Sequence, residues 1–201
     1  MIRTFKSKAL AELWEKGRTA KIDAKMQQRV LARPDRLDAA VSPAEMNVPG
    51  FDFHSLRGFR PTRYSVHANG PWCVTFEFED GDASASISSN ITERSRNMAY
   101  AAKRNPNRCP THPGALLRDD VIPATGRTKV EIAGLLGISR QHLYDILRER
   151  KPVSPAVAVR LGKLFGDGAG IWTRMQAAYD TWHAERKEDV SKIPTIRARA
   201  A

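Results

Sequence analysis

At 201 residues with 41% apolar side chains, the chain is long enough to bury a core in one large domain or two small ones. No run approaches the roughly 20 apolar residues of a membrane span, and the start Met-Ile-Arg-Thr-Phe-Lys lacks the apolar centre of a signal peptide; Cys73 and Cys109 are too few and too distant for a disulfide framework or a zinc site, so a cytoplasmic protein with no metal and no cofactor is expected. The net charge of +11 is unevenly spread: residues 1–97 hold 15 Lys/Arg against 12 Asp/Glu and residues 98–201 hold 18 against 10, so +8 lies in the second half and favours nucleic acid over a membrane as the polyanionic partner.

The first half reads as α+β. Ile2–Phe5 suits a short strand, Lys8–Lys16 carries Leu10, Leu13 and Trp14 at helical spacing, and Asp23–Ala32 carries Met26 and Val30 behind an Asp cap. Arg57, Arg60 and Arg63 form a basic cluster ahead of the strongest strand signal. There Tyr64, Val66 and Ala68 alternate with polar residues, Asn69-Gly70 offers a tight turn, and Trp72, Val74, Phe76 and Phe78 alternate again. Asp80-Gly81 offers a second turn. The run that follows, Ala-Ser-Ala-Ser-Ile-Ser-Ser-Asn-Ile-Thr, is poor in large apolar groups, so the sheet is expected to lack a well-filled strand at this place. His54 and His67 are lone histidines and receive no role.

Residues 98–111, with Lys103, Arg104, Pro106, Arg108 and Pro110, show no clear periodicity and read as a linker or a flexible arm. Residues 128–148 then describe two short helices joined by a glycine turn. Val130, Ile132, Ala133 and Leu136 suit the buried side of the first, Gly137 takes the left-handed conformation that ends it, Ser139 caps the second, and Leu143, Ile146 and Leu147 face the core. A helical hairpin in an ordinary core needs the same apolar spacing. The small Ala133 at the crossing, the glycine turn, the cap and the cationic outer face favour a helix-turn-helix that reads DNA. Arg140, Gln141 and Tyr144, in the first turns of the second helix, are the candidates for base contact; Thr128, Lys129, Ser139, Arg148, Arg150 and Lys151 are the candidates for phosphate contact. Ser154-Pro155 caps a further helix carrying Val157, Leu161 and Leu164, and Trp172, Met175, Ala178, Tyr179 and Trp182 stripe another, as core or dimer seam.

The run Leu56-Arg57-Gly58 through Arg63-Tyr64-Ser65-Val66, then Asn69-Gly70 and Trp72 through Ala83, resembles the HigB toxins of the RelE-like ribonuclease superfamily. From Met98 the chain resembles the HigA antitoxins, in His112-Pro113-Gly114, Leu116-Leu117-Arg118, the helix-turn-helix, Ala158 through Gly166, and Trp172 with Met175 through Asp180. The two resemblances divide the chain into a toxin-like domain at 1–83, a junction and linker at 84–111, an antitoxin-like domain at 112–183 and a basic tail at 184–201. They imply helices on a small antiparallel sheet followed by an all-α Cro/C1-like domain, with His112 at the entry of its first helix, anchored by Leu116, Leu117 and Val121. Such pairs are normally separate proteins encoded side by side, toxin first, so an internal Met98 opening the second sequence implies a fusion. Residues 85–93 have synonymous codings that read, in another frame, as Val-Asp-Phe-Glu-Gln-Tyr-His and then stop, similar to a HigB ending. A frameshift origin is therefore expected.

The resemblance implies metal-free cleavage of messenger RNA on the ribosome by the first half, and operator double-stranded DNA bound by a homodimer of the second, with toxin–antitoxin contact in cis or between subunits. Two departures point to a weak or lost nuclease. Cys73 stands where the family offers an arginine, and a thiol lacks the fixed charge and five donors of a guanidinium; the C-terminal Tyr-His pair is out of frame. No catalytic residue is assigned, and Arg57, Arg60 and Arg63 remain as vestigial RNA contacts. The expected function is an autorepressor antitoxin carrying an inactivated toxin half; the alternatives are a self-restrained ribosome-dependent endoribonuclease and an inert frameshift product.

Overall fold

The computed structural model describes residues 1–70, 72–79, 81–88, 99–102 and 105–196. Pro71, Asp80, Lys103 and Arg104, with residues 89–98 in the junction and 197–201 at the end of the tail, lie outside them. The first half is a six-stranded sheet in the order β2-β3-β4-β5-β1-β6, formed by β1 (Ile2–Phe5), β2 (His54–Leu56), β3 (Arg63–Asn69), β4 (Trp72–Glu79), β5 (Asp82–Ser88) and β6 (Tyr100–Ala101). All neighbours are antiparallel except β1 and β5. The β3–β4 hairpin turns where Asn69-Gly70 predicts it, and Gly70 takes a φ of +52° that a side chain would strain.

The sheet is not deficient at β5, contrary to the expectation drawn from its small residues. That strand is central, paired along its length with β4 and on its other side with β1. Ala83 and Ala85 are buried because helix α1 (Lys8–Lys16) packs against this strand, with its own Leu10, Leu13 and Trp14 buried. Small side chains under a close helix replace large ones under a distant one. Tyr64 and Phe76 stack with Phe53, at ring centroids 5.4 to 6.4 Å apart, and close the other end of this face.

Helix α2 (Ala24–Ala39) is longer than the sequence predicts, running through Pro34. Proline normally ends a helix by removing a donor. Here the turns beyond it are held by tertiary bonds: Asp35 takes both Arg108 and Thr111, and Arg36 donates to the Glu45 carbonyl. The described part of the segment read as a linker is likewise packed in place. Arg108 lies over the Trp14 ring, Asn105 donates to the Glu15 carbonyl, and Trp182 donates to that of Pro106.

The second half is helical: α3 (Pro113–Leu116), a π turn (Leu117–Val121), α4 (Ile122–Ala124), α5 (Lys129–Leu135), α6 (Arg140–Leu147), α7 (Pro155–Phe165) and α8 (Ala169–Lys187). His112 does open α3, its Nδ1 accepting from the Gly114 N–H at 2.9 Å. Any side chain at Gly114 would strike the Ile146 carbonyl, so this glycine sets how closely α3 meets α6. Pro123 offers no N–H to the turn before it, and that turn is widened, with Ile122 donating to Leu117.

One continuous core joins the halves. Across their boundary lie buried ion pairs. Arg33 donates to both oxygens of Asp120, which Arg29 also reaches, and Arg36 meets Asp167 at 2.5 Å. Burial lowers the pKa of Arg33 and Arg36 and raises that of Asp167, against the attraction between the partners. Arg174 adds a half-exposed link to Glu45 at 2.6 Å.

Candidate nucleic-acid interface

Helix α5 begins at Thr128, whose hydroxyl accepts from the Glu131 N–H while the Glu131 carboxylate accepts from the Thr128 N–H. The bond from the Thr128 N–H, and that from the same threonine's hydroxyl, hold the Glu131 carboxyl below its usual range. Ile132, Ala133 and Leu136 are buried as the sequence predicts, but Val130 is 49% exposed. Two residues before Ile132, it projects from the far side of the helix at 100° per residue. Gly137 ends the helix at a φ of +61°. Arg160 of α7 then donates to the carbonyls of Leu136 and Gly137 at 2.6 and 2.8 Å, pinning the turn.

Ser139 starts α6 by accepting from the His142 N–H at 3.1 Å. Leu143, Ile146 and Leu147 seat the helix in the core, and Arg118 caps its far end by donating to the Leu147 carbonyl. Arg140 is exposed at the first turn. Gln141 is exposed next to it, its amide donating to Asp145 at 2.8 Å. Tyr144 is half-buried, with Lys129 from α5 and Arg148 from the end of α6 each under 6 Å from its ring centre. Arg150 is exposed, whereas Lys151 is tied to Asp145 at 3.1 Å, which with the Gln141 bond keeps that carboxyl low.

The predicted residues thus divide. Arg140, Gln141, Tyr144, Lys129 and Arg148 share one exposed surface built on α5 and α6. The side chains of Thr128 and Ser139 are spent on caps, leaving the N-terminal turns of both helices ordered. Sequence reasoning missed Arg160 and Arg118 because the carbonyls they hold are set by tertiary packing. The Thr128–Glu131 pair is readable from its spacing.

The toxin-like face carries a different arrangement. Strand register places Arg63 opposite Glu77 and His67 opposite Cys73 on β3 and β4. Arg63 donates twice to Glu77 and stacks on Phe59, and Lys6 meets the same carboxylate at 2.5 Å. Glu79 and Asp82 line the groove beside them. Arg57 and Arg60 are exposed, without a hydrogen bond or ion pair among the described residues. Cys73 is half-buried with a free thiol. No cluster of metal-ligating side chains occurs among the described residues, and no helix there is long and apolar enough to cross a membrane.

Residues 3–88 match the family described as the RelE-like toxin of the type II toxin–antitoxin system HigB. The endoribonuclease HigB of Proteus vulgaris is 36% identical over 83 residues, which span 41% of this chain and 90% of that protein. The virulence-associated protein I of Dichelobacter nodosus is 35% identical over 82 residues, 41% of this chain and 76% of that protein. Among solved structures, the Pseudomonas aeruginosa antitoxin HigA with the higBA promoter is 30% identical, with 44% of this chain and 99% of that one covered at a TM-score of 0.40.

Proposed function

The chain belongs to the HigB family of RelE-like toxins in its N-terminal half and carries a HigA-like helix-turn-helix antitoxin domain in its C-terminal half, and from that premise we propose that it is a sequence-specific DNA-binding autorepressor with an inactivated toxin half docked in cis. The observation that carries the reading is the exposed set on α5 and α6. Arg140 and Gln141 sit where a recognition helix enters the major groove, suited to guanine and adenine edges respectively. Lys129, Arg148 and Arg150 lie around them as phosphate contacts, and the peptide N–H groups at the capped helix starts add partial positive charge. Tyr144, held between two cations, presents a fixed edge to a base. Homodimerisation on an inverted repeat belongs to the same reading, since one module buries too little surface for tight binding.

The lost nuclease is supported by chemistry at the sheet. When a 2′-hydroxyl attacks the phosphate and the bond to the leaving 5′-oxygen breaks, the charge on the phosphate in the transition state needs uncommitted positive charge. Lys6 and Arg63 are both bonded to Glu77, and Cys73 supplies no charge. Arg57 and Arg60 are free of partners among the described residues, and they favour a second reading in which weak ribosome-dependent cleavage survives. A gel shift on DNA upstream of the coding region tests the first reading: operator DNA should be retained over random DNA, with affinity falling steeply as salt rises. Equal affinity for both would end the proposal.

A further inference from the structure

Helix α2 carries Arg29, Arg33 and Arg36 four and three residues apart, a spacing that lines them along one helix face. All three reach carboxylates of the other half: Arg29 and Arg33 share Asp120, and Arg36 meets Asp167. The side chains of Arg33, Arg36, Asp120 and Asp167 are no more than 1% exposed. Their remaining valences are filled as well. Arg33 donates to the carbonyls of Arg29 and His67, Arg36 to that of Glu45, and Asp167 accepts from the Trp172 indole. A clasp of this kind contributes little net stability, because desolvation offsets the attraction. It discriminates strongly, because a partner lacking Arg36 leaves the buried Asp167 without a cation, and one lacking Arg33 leaves Asp120 only the partly exposed Arg29.

We propose that Asp120 and Asp167 are the residues by which the antitoxin-like half recognises a toxin-like partner, that the feature read is the Arg33 and Arg36 pair, and that the same clasp closes in trans between two copies of this chain once each copy is disabled in cis. The inference rests on the toxin–antitoxin reading of the two halves. In the intact chain covalent connection gives cis closure the advantage of effective concentration.

Two full-length variants test it. One carries Arg29→Met, Arg33→Met and Arg36→Met, the other Asp120→Asn with Asp167→Asn, so each alone buries unpaired charges of one sign. When the two are co-refolded, the intact arginines of one face the intact carboxylates of the other, and the methionines face the asparagines without charge. Native mass spectrometry should then show a one-to-one heterodimer exceeding both homodimers by more than about tenfold, with the wild-type chain giving no such exchange. Folded variants that stay apart, or pair without preference, overturn the proposal. Should either variant be insoluble alone, recovery on co-expression supports it and failure to recover overturns it. A parallel gel shift separates the two readings: operator binding by the wild-type chain without heterodimer formation sinks the clasp alone.

Discussion

Arg33 and Asp120 sit 87 residues apart in sequence yet face each other with both side chains buried, the guanidinium donating to the two carboxylate oxygens at 2.8 and 2.9 Å. Together with the continuous core, this pair ties the two halves to each other. Asp120→Asn should therefore destabilise the whole chain by about 3–5 kcal/mol in urea denaturation, since an arginine is left buried without its charge partner. Arg33→Met combined with Asp120→Leu should recover much of that loss. Two separate transitions in the wild-type chain, one per half, would contradict the expectation.

Arg140→Ala with Gln141→Ala should flatten sequence preference, at about 1–3 kcal/mol for each base that is no longer read. Lys129→Ala should instead weaken binding to all DNA alike and reduce the salt slope by about one. Quantitative gel shifts on operator and scrambled DNA at several salt concentrations distinguish the two effects. An operator preference unchanged in the double variant means the recognition helix lies elsewhere.

Arg160 fixes the turn between α5 and α6, so under the proposed DNA-binding function it acts at second hand. Arg160→Ala should cost about 1 kcal/mol of stability through the hydrogen bonds it removes and reduce operator affinity although the residue lies on α7. Gly137→Ala should do more harm. Its φ of +61° is adverse to a side chain, and a Cβ there would come within 2.7 Å of Arg160. Thermal melts alongside gel shifts read both effects.

His112 links stability to pH. Burial lowers its pKa, against the raising influence of Glu149 and Asp180 and with that of Arg118 and His183, and its Nδ1 must stay unprotonated to accept the Gly114 N–H. The folded state therefore holds fewer protons than the unfolded state. Its contribution is complete above the ordinary histidine value of about 6.5 and is lost as pH falls below that toward the lowered value. His112→Asn, which keeps a cap acceptor but does not titrate, should flatten this part of the stability profile. An unchanged profile would place the pH dependence at another group.

Expression of the chain should leave bacterial growth and messenger RNA on ribosomes intact. Cys73→Arg restores one guanidinium beside a face where Glu77 already absorbs Lys6 and Arg63, so toxicity should rise only slightly. Cys73→Arg with Glu77→Gln, which frees those two cations as well, should cleave more. Growth arrest by the unaltered chain would show that Arg57 and Arg60 suffice.

Local pattern makes much of the fold legible. The apolar spacing of Leu10, Leu13 and Trp14 fixes α1 to its observed bounds, and the alternation around Val66 and Val74 fixes the hairpin. The helix-turn-helix is readable for the same reason, its buried stripe, turn glycine and caps all being local. What escapes is tertiary. Nothing near Pro34 signals that α2 continues, because the partners that hold its last turns lie far along the chain. Nor does the composition of residues 82–88 show that α1 comes close enough to make alanine the right size.

Strand β6 shields an edge. Thr4 and Phe5 of β1 pair with Ala101 and Tyr100, and the Ala102 N–H donates to Arg3, although this strand follows the last residue of the toxin match. A toxin half cut free after Ser88 would leave that side of β1 with bare peptide groups next to a buried Phe5, a template for strand addition from a neighbouring molecule. Strand β6 thus covers an edge that the toxin match alone would leave open, and the end of that match falls inside a single hydrogen-bonded sheet.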